Sequence, residues 1–187
     1  MRVIAGICRG MKLIAPAGKS TRPTADRVKE ALFNIISSRY SFDDARVLDI
    51  CAGTGSLGIE ALSRGAATCS FIENDRKVLD CLAKNISDSR IFNRSEIVAM
   101  DAIKALSLFA RRGNKYDMIF LDPPYDSGLY FSVPEALGSL GILDSNSLFV
   151  AECSMRNPLP ESTGPLVKFD RRVYGDTALE FFALEAT

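Results

Sequence analysis

The sequence predicts an α/β domain built on a mainly parallel seven-stranded sheet with an antiparallel C-terminal edge, preceded by an N-terminal β-hairpin and helix. Three observations carry that expectation. From Arg46 onward, short apolar runs alternate with segments of helical periodicity in the order βαβαβαβ, which puts helices on both faces of a parallel sheet. The last two apolar runs, PLVKFDRRVY and TALEFFAL, are separated only by Gly175-Asp176, a two-residue hairpin signal. A chain of 187 residues, 47% hydrophobic and 25% charged, is long enough to bury one large core and short for two.

At the N-terminus, RVIAGI and MKLIAP flank CRG, so two short strands around a glycine-containing turn are expected, with Arg9 and Lys12 near the tip. The turn formers KSTRPT follow, and Thr24 is placed to cap a helix whose first turn holds Asp26. Val28, Ala31, Leu32, Ile35 and Ile36 recur at the spacing of one buried helical face, which should run to about Ser38. Next come RVLDIC, a glycine loop, SLGIEALSR, TCSFIE, DRKVLDCLAKNI, EIVAM, DAIKALSLFARR, YDMIFL and LFVAEC. In the second of these helices Val78, Cys81, Leu82, Asn85 and Ile86 share one side. Residues 1–40 are thus expected to be an extension on a core formed by residues 41–187, within a single domain and with no internal repeat.

Composition removes several chemistries. The chain has no histidine, which excludes a histidine metal site, a Ser-His triad and a histidine general base. Its five cysteines contain no CxxC pair and sit mostly in apolar surroundings, as reduced core residues do. No apolar run approaches the roughly 20 residues of a membrane span, and the start lacks a signal-peptide core, so the cytoplasm and no membrane partner are expected. Net charge is zero, yet residues 1–40 hold eight Lys or Arg against two acids, leaving fifteen against twenty-one in the remainder. A basic arm on an acidic body suits a polyanionic partner, nucleic acid first. The competing reading is a solvated basic face.

LDICAGTGSLG sets Gly53, Gly55 and Gly58 between a strand and a helix, where glycine lets a ligand approach the backbone and the helix N-terminus offers free N–H groups. Glu73 ends the second strand eighteen residues after Gly55, where an acid can hold a ribose diol. That fingerprint alone does not separate a nicotinamide dinucleotide from S-adenosylmethionine (AdoMet). Asp49, at the first strand's end, tilts the balance, because a carboxylate repels a pyrophosphate and suits a sulfonium and an ammonium. It could equally anchor the loop. Asp101-Ala102 could receive the adenine amino group beside an apolar wall, and Asp101 could as well be a helix cap, as could Asp75.

LDPPY follows the fourth strand. In a doubly wound sheet the ligand crevice lies beyond the carboxyl ends of the strands where their order reverses, so strands one and four should be neighbours and Asp122 should face the glycine loop. An exocyclic amine on a purine or pyrimidine is a poor nucleophile because its lone pair is delocalised into the ring. Two acceptors that pin its hydrogens free that pair, and Asp122 with the Pro123 carbonyl could supply them. Pro123 and Pro124 would stiffen the stretch, and Tyr125 offers a face on which an extruded base stacks. The plain alternative is a strand exit, since paired prolines commonly end strands.

These residues, with GICRGMKL and RPTADRVKEALFNII at the start and RRVYGDTAL near the end, resemble the RsmD-like family of small-subunit ribosomal RNA guanine-N2 methyltransferases, which have the Rossmann-like class I methyltransferase fold. The resemblance spans about Arg2 to Leu184. It implies AdoMet binding at Asp49, Gly53, Thr54, Gly55, Glu73, Asn74, Asp101 and Ala102, without metal, and catalysis at Asp122, Pro123, Pro124 and Tyr125. The implied substrate is one guanine of 16S rRNA in an assembled or assembling small subunit, approached by Arg9, Lys12, Arg22 and Arg27, although Arg22 or Arg27 could line the pocket instead. Members often have G-S-G where this chain has Gly53-Thr54-Gly55, and Met11 stands where many carry a more basic hairpin. A pocket completed within one chain makes a monomer the simplest expectation. Rival readings are a nicotinamide oxidoreductase, another DPPY-type amino-methyltransferase acting on DNA or another rRNA base, and an RNA-binding assembly protein that keeps the pocket without turnover.

Overall fold

The computed structural model describes residues 1–16 and 23–185. Helix α1 (Pro23–Ser37) leads into β1 (Arg46–Ile50), α2 (Ser56–Ser63), β2 (Thr68–Glu73), α3 (Arg76–Ser87), β3 (Ser95–Ala99), α4 (Ala102–Arg111) and β4 (Tyr116–Leu121). The chain continues through α5 (Leu129–Ser139), β5 (Leu143–Ser154), β6 (Ser162–Thr163), β7 (Leu166–Tyr174) and β8 (Thr177–Leu184). All eight strands form one sheet in the order β3-β2-β1-β4-β5-β8-β7-β6. Strands β1 to β5 pair in parallel, and β8, β7 and β6 add an antiparallel edge. The sheet therefore has eight strands rather than seven. The extra one is two residues long, pairs only with Leu166 and Val167, and is too short to leave an alternating pattern in the sequence.

Alternation along the strands sends side chains to two cores. On one face Val47, Phe71, Phe120, Val150 and Phe181 pack under α1, α2 and α3; on the other Leu48, Ile72, Ile119, Phe149 and Phe182 pack under α4 and α5. In α1 Val28, Leu32 and Ile36 are buried, as the periodicity predicts, Ala31 and Ile35 are half-buried, and Phe33, outside the expected stripe, is buried as well. The helix begins at Pro23, so Thr24 lies inside its first turn and is not the cap. In α3 Val78, Leu82, Asn85 and Ile86 are buried and Cys81 is half-buried. Asp75 caps that helix, accepting from the Lys77 and Val78 amides. Helix α5 is not predicted by the sequence pattern, because Pro134 interrupts it; it supplies the crossover that parallel β4 and β5 require. No helix among the described residues is long and apolar enough to cross a membrane.

The N-terminal hairpin is reduced to one antiparallel bridge, Arg2 with Lys12. Around it Val3 N, Gly10 N and Leu13 N donate across to the carbonyls of Met11, Val3 and Met1 at 2.9, 2.9 and 3.0 Å, but other amides are drawn to α2: Ile4 and Ala5 donate to the Glu60 carboxylate at 2.7 and 3.0 Å, and Ile7 and Cys8 donate to Ser63 at 2.9 Å each. A ladder cannot extend through residues whose donors are committed to α2. Arg9 and Lys12 are exposed, as is Arg27 on α1, whereas Arg22 lies outside the described residues.

Helix α2 approaches β2 closely because Gly58 has no side chain: a Cβ there would sit 2.3 Å from Phe71 Cε1 and 2.6 Å from Cys69 Sγ. Gly58→Ala is therefore expected to cost about 1–3 kcal/mol through overpacking, read as a lower urea midpoint at unchanged slope.

Candidate active site

Parallel pairing of β1 with both β2 and β4 places the reversal of strand order at β1, and a cleft of ≈ 1060 Å³ opens over the carboxyl ends there. Strands one and four are neighbours as expected, with Ile50 opposite Leu121, and the Asp122 amide reaches the Ile50 carbonyl at 3.4 Å. Asp122 and the glycine loop consequently share one cleft.

Three side chains hold the loop. The Asp49 carboxylate, 1% exposed, accepts from the Gly58 amide at 2.8 Å, so it does the anchoring that the sequence allows, at the cleft floor. Glu73 accepts from Gly53 N at 3.0 Å through one oxygen and from Asn74 N and Asp75 N at 2.8 and 2.9 Å through the other. Asn85, buried in α3, donates to the Thr54 carbonyl at 2.9 Å and also binds both the amide and the carbonyl of Ile14. The strand-to-loop transition passes through Cys51 at φ 62°, a left-handed conformation in a residue that has a side chain, which is the kind of strain held at functional loops.

Gly53, Thr54, Asn74 and Ala102 line the cleft together with Asp49, Glu73 and Asp101. Gly55 does not. It caps α2 at φ 79°, and a Cβ there would lie 2.6 Å from Leu82 Cδ1, so glycine is required behind the loop rather than on the cleft wall. Asp101 caps α4 by accepting from Ile103 N and Lys104 N at 3.0 and 3.3 Å while it faces the cleft, so capping and lining coincide.

On the other wall stand Asp122, Pro123, Pro124 and Tyr125. Tyr125 is 45% exposed, and its hydroxyl lies 3.0 Å from Thr177 Oγ1 on the β7–β8 hairpin. Pro123 is buried, and its carbonyl accepts from the Tyr130 hydroxyl at 3.0 Å, which also reaches the Glu152 carbonyl at 2.8 Å. Tyr130 thus locks the end of β4 to the end of β5. Neither Tyr130 nor Glu152 is singled out by a sequence motif. Glu152 nevertheless carries the same mark as Asp49, an acid at the carboxyl end of an apolar strand.

The cleft is strongly acidic. Among its described lining residues seven are Asp or Glu and none is Lys or Arg. Burial pushes the Asp122 carboxyl up to about 6. It also pushes Glu152 up to about 8, with the Asp122 charge adding to it. Asp49 is pushed to about 8 by burial, opposed by the Gly58 amide and reinforced by Asp122 and Glu73. Cys51 rises to about 12 for the same reasons, burial first and then the acids, so it is no thiolate nucleophile. A dinucleotide pyrophosphate would meet repulsion here, whereas a cationic ligand would relieve it. Of the basic residues expected to approach nucleic acid, Arg9, Lys12 and Arg27 lie outside this lining; Arg9 instead borders a small recess of ≈ 250 Å³ with Arg2, Asp26 and Glu30.

Comparison with known proteins decides the family. The family model described as conserved hypothetical protein 95 matches residues 1–183, and ribosomal RNA small subunit methyltransferase D of Escherichia coli K12 is 36% identical over 186 residues, covering 100% of this chain and 91% of that one. The chain belongs to the RsmD family. YlbH of Bacillus subtilis strain 168 is 38% identical over 182 residues, with 97% of this chain and 98% of that one covered. The solved yhhF chain from Escherichia coli superposes with a TM-score of 0.85 at 36% identity over 100% of this chain and 99% of the other. The sheet order and the cleft described above are thus those of a Rossmann-like class I methyltransferase fold in an RsmD-family chain.

Proposed function

We propose that this RsmD-family chain transfers a methyl group from AdoMet to the exocyclic N2 of a guanine in small-subunit ribosomal RNA. The observation that carries the reading is the placement of Asp122 and the Pro123 carbonyl, two acceptors on a rigid strand end, at the wall of an acidic cleft whose described lining contains no Lys or Arg. Its membership among proteins named for small-subunit rRNA methylation supports rRNA as the substrate.

The residues present fit AdoMet. Glu73 would hold the ribose hydroxyls, Asp101 and Ala102 the adenine, and Gly53, Thr54 and Asn74 the backbone contacts around them, while the acids of the floor balance its ammonium and sulfonium. When bound, AdoMet supplies an electrophilic methyl on sulfur. Asp122 and the Pro123 carbonyl accept the two N2 hydrogens and free the amine's lone pair; the Tyr130 hydroxyl fixes that carbonyl. Tyr125 stacks on the extruded base. Asp122 is also placed to hold the proton that the methylated amine releases.

Arg9, Lys12, Arg22 and Arg27 are assigned to phosphates. The substrate is taken to be an assembled or assembling particle in the cytoplasm, met by a monomer. The test is transfer of labelled methyl to particles lacking the modification, followed by nucleoside digestion. N2-methylguanosine is the expected product, label on adenine N6 would replace the substrate class, and no transfer would favour an assembly protein. Charge removal at Arg9, Lys12 and Arg27 should flatten the salt dependence of RNA binding.

A further inference from the structure

The two acceptors of the DPPY stretch do not by themselves select guanine. Adenine N6 and cytosine N4 carry the same pair of hydrogens. What differs is the neighbouring ring nitrogen, which in guanine bears a hydrogen and in adenine and cytosine presents a lone pair. A site that prefers guanine therefore gains from a third acceptor beside the first two.

Glu152 stands at that position. Its strand β5 runs parallel to β4 with Ala151 opposite Leu121, so the next residues along, Glu152 and Asp122, are neighbours at the strands' carboxyl ends on the same side of the sheet. Both line the cleft. Among the described residues neither carboxyl receives a hydrogen bond or an ion pair, although Asp49 and Glu73 in the same cleft are both satisfied by backbone amides. Asp122 is exposed and Glu152 half-buried, so both carboxyls are open to the cleft; side by side they repel one another, an arrangement that a donor-rich ligand relieves. The Tyr130 hydroxyl, shared between the backbone carbonyls of Pro123 and Glu152, ties together the two strand ends that carry these acceptors.

We propose that Glu152 accepts the N1–H of the target guanine, so that Asp122, the Pro123 carbonyl and Glu152 together receive the two N2 hydrogens and the N1 hydrogen of that base. This rests on the guanine-N2 reading above and adds the residue that selects the base. An oxygen of Glu152 accepts whether the carboxyl is neutral or ionised, and the ionised form opposes the ring lone pair of adenine or cytosine.

The test uses particles whose target guanine is replaced by 2-aminopurine, which keeps the 2-amino group but has no hydrogen on N1. The wild-type enzyme should prefer guanine in kcat/KM, and Glu152→Ala should lose about 10- to 100-fold on guanine, the scale of leaving one desolvated donor without an acceptor, with much less loss on 2-aminopurine. The ratio between the two substrates should therefore collapse. Glu152→Gln, which keeps the volume and can turn its amide to donate to the bare N1, should narrow the ratio as well. Unchanged AdoMet affinity by calorimetry marks each variant as folded. A ratio that stays at the wild-type value in both variants overturns the assignment of Glu152 while leaving guanine-N2 transfer in place. Failure of the wild-type enzyme to form N2-methylguanosine at all overturns the functional reading, and this inference with it.

Discussion

Asp122→Ala is expected to lower kcat/KM for methyl transfer by about 10²- to 10³-fold, the scale of removing one preorganised hydrogen-bonding group from a reacting centre, while AdoMet affinity by calorimetry stays unchanged. The separation follows from where the residue sits. Asp122 follows β4 and lines the cleft from there, whereas the groups proposed to hold AdoMet come from β1, β2, β3 and the loops after them. Asp122→Asn refines the result: the amide keeps an acceptor oxygen but cannot take up a proton, so it should retain more activity than alanine. Since its protein surroundings push Asp122 up to about 6, the wild-type kcat/KM should fall as pH drops through about 6, where the carboxyl gains its proton, accepts more weakly and can no longer take up the proton the amine releases. Asn at 122 should flatten that limb. Glu152 and Asp49 are also raised, by burial first and by the Asp122 charge besides, so asparagine at 122 should lower both somewhat as it removes that charge. Equal turnover by Asp122→Ala and wild type would remove Asp122 from the chemistry.

The alternating core and the glycine loop were readable because their causes are local. A buried strand needs consecutive apolar residues, an amphipathic helix repeats every few residues, and Gly53 and Gly55 stand where the loop must turn sharply. The segments that escaped depend on partners far along the chain. Residues 2–16 carry a strand-like pattern, yet the donors of Ile4, Ala5, Ile7 and Cys8 are used by Glu60 and Ser63 more than fifty residues away, so the antiparallel pairing stays short, confined to the neighbourhood of the Arg2–Lys12 bridge. Pro134 hides α5 from a periodicity argument, although parallel β4 and β5 demand a crossover that only those residues can provide. At the site, Asp49, Glu73, Asp101 and Asp122 stand out as acids at strand ends. Glu152 does so too in FVAEC, but it lacks the neighbouring Gly or Pro that draws notice. Gly55 is the converse case: its place in the motif suggests ligand contact, and the structure supplies a packing reason for glycine there as well, since a Cβ would lie 2.6 Å from Leu82 Cδ1.

Glu60→Ala should be the most destabilising of the substitutions considered, lowering unfolding free energy by about 3–5 kcal/mol in urea titration, because it removes one partner from a buried charge network. Glu60 is fully buried, and its carboxylate accepts from Ile4 N, Ala5 N and Arg64 Nε at 2.7, 3.0 and 2.9 Å. Lys29, 4% exposed, lies 3.7 Å away and donates to the Arg2 carbonyl at 2.7 Å and to Ser56 Oγ at 3.1 Å. Burial already draws the Lys29 ammonium below its ordinary value, with Glu60 the chief opposing charge. Alanine at 60 therefore leaves a buried cation without its counter-charge and two buried amides without acceptors. Lys29→Met combined with Glu60→Leu should recover part of the loss, since apolar replacement of both charges removes the desolvation cost that a single deletion exposes. The consequence reaches the cleft, because Ser56 opens α2 and lines it, while Ile4 and Ala5 tie the segment bearing Arg9 and Lys12 to the same helix. Under conditions where Glu60→Ala remains folded, the basic segment should detach first. Its amides would exchange faster than those of β1 and β4, and the salt dependence of RNA binding would flatten as though Arg9 and Lys12 had been removed. Wild-type exchange at residues 2–13 in the variant would show that apolar contacts of Val3, Cys8 and Leu13 suffice to hold the segment, and that Glu60 is dispensable as its clasp.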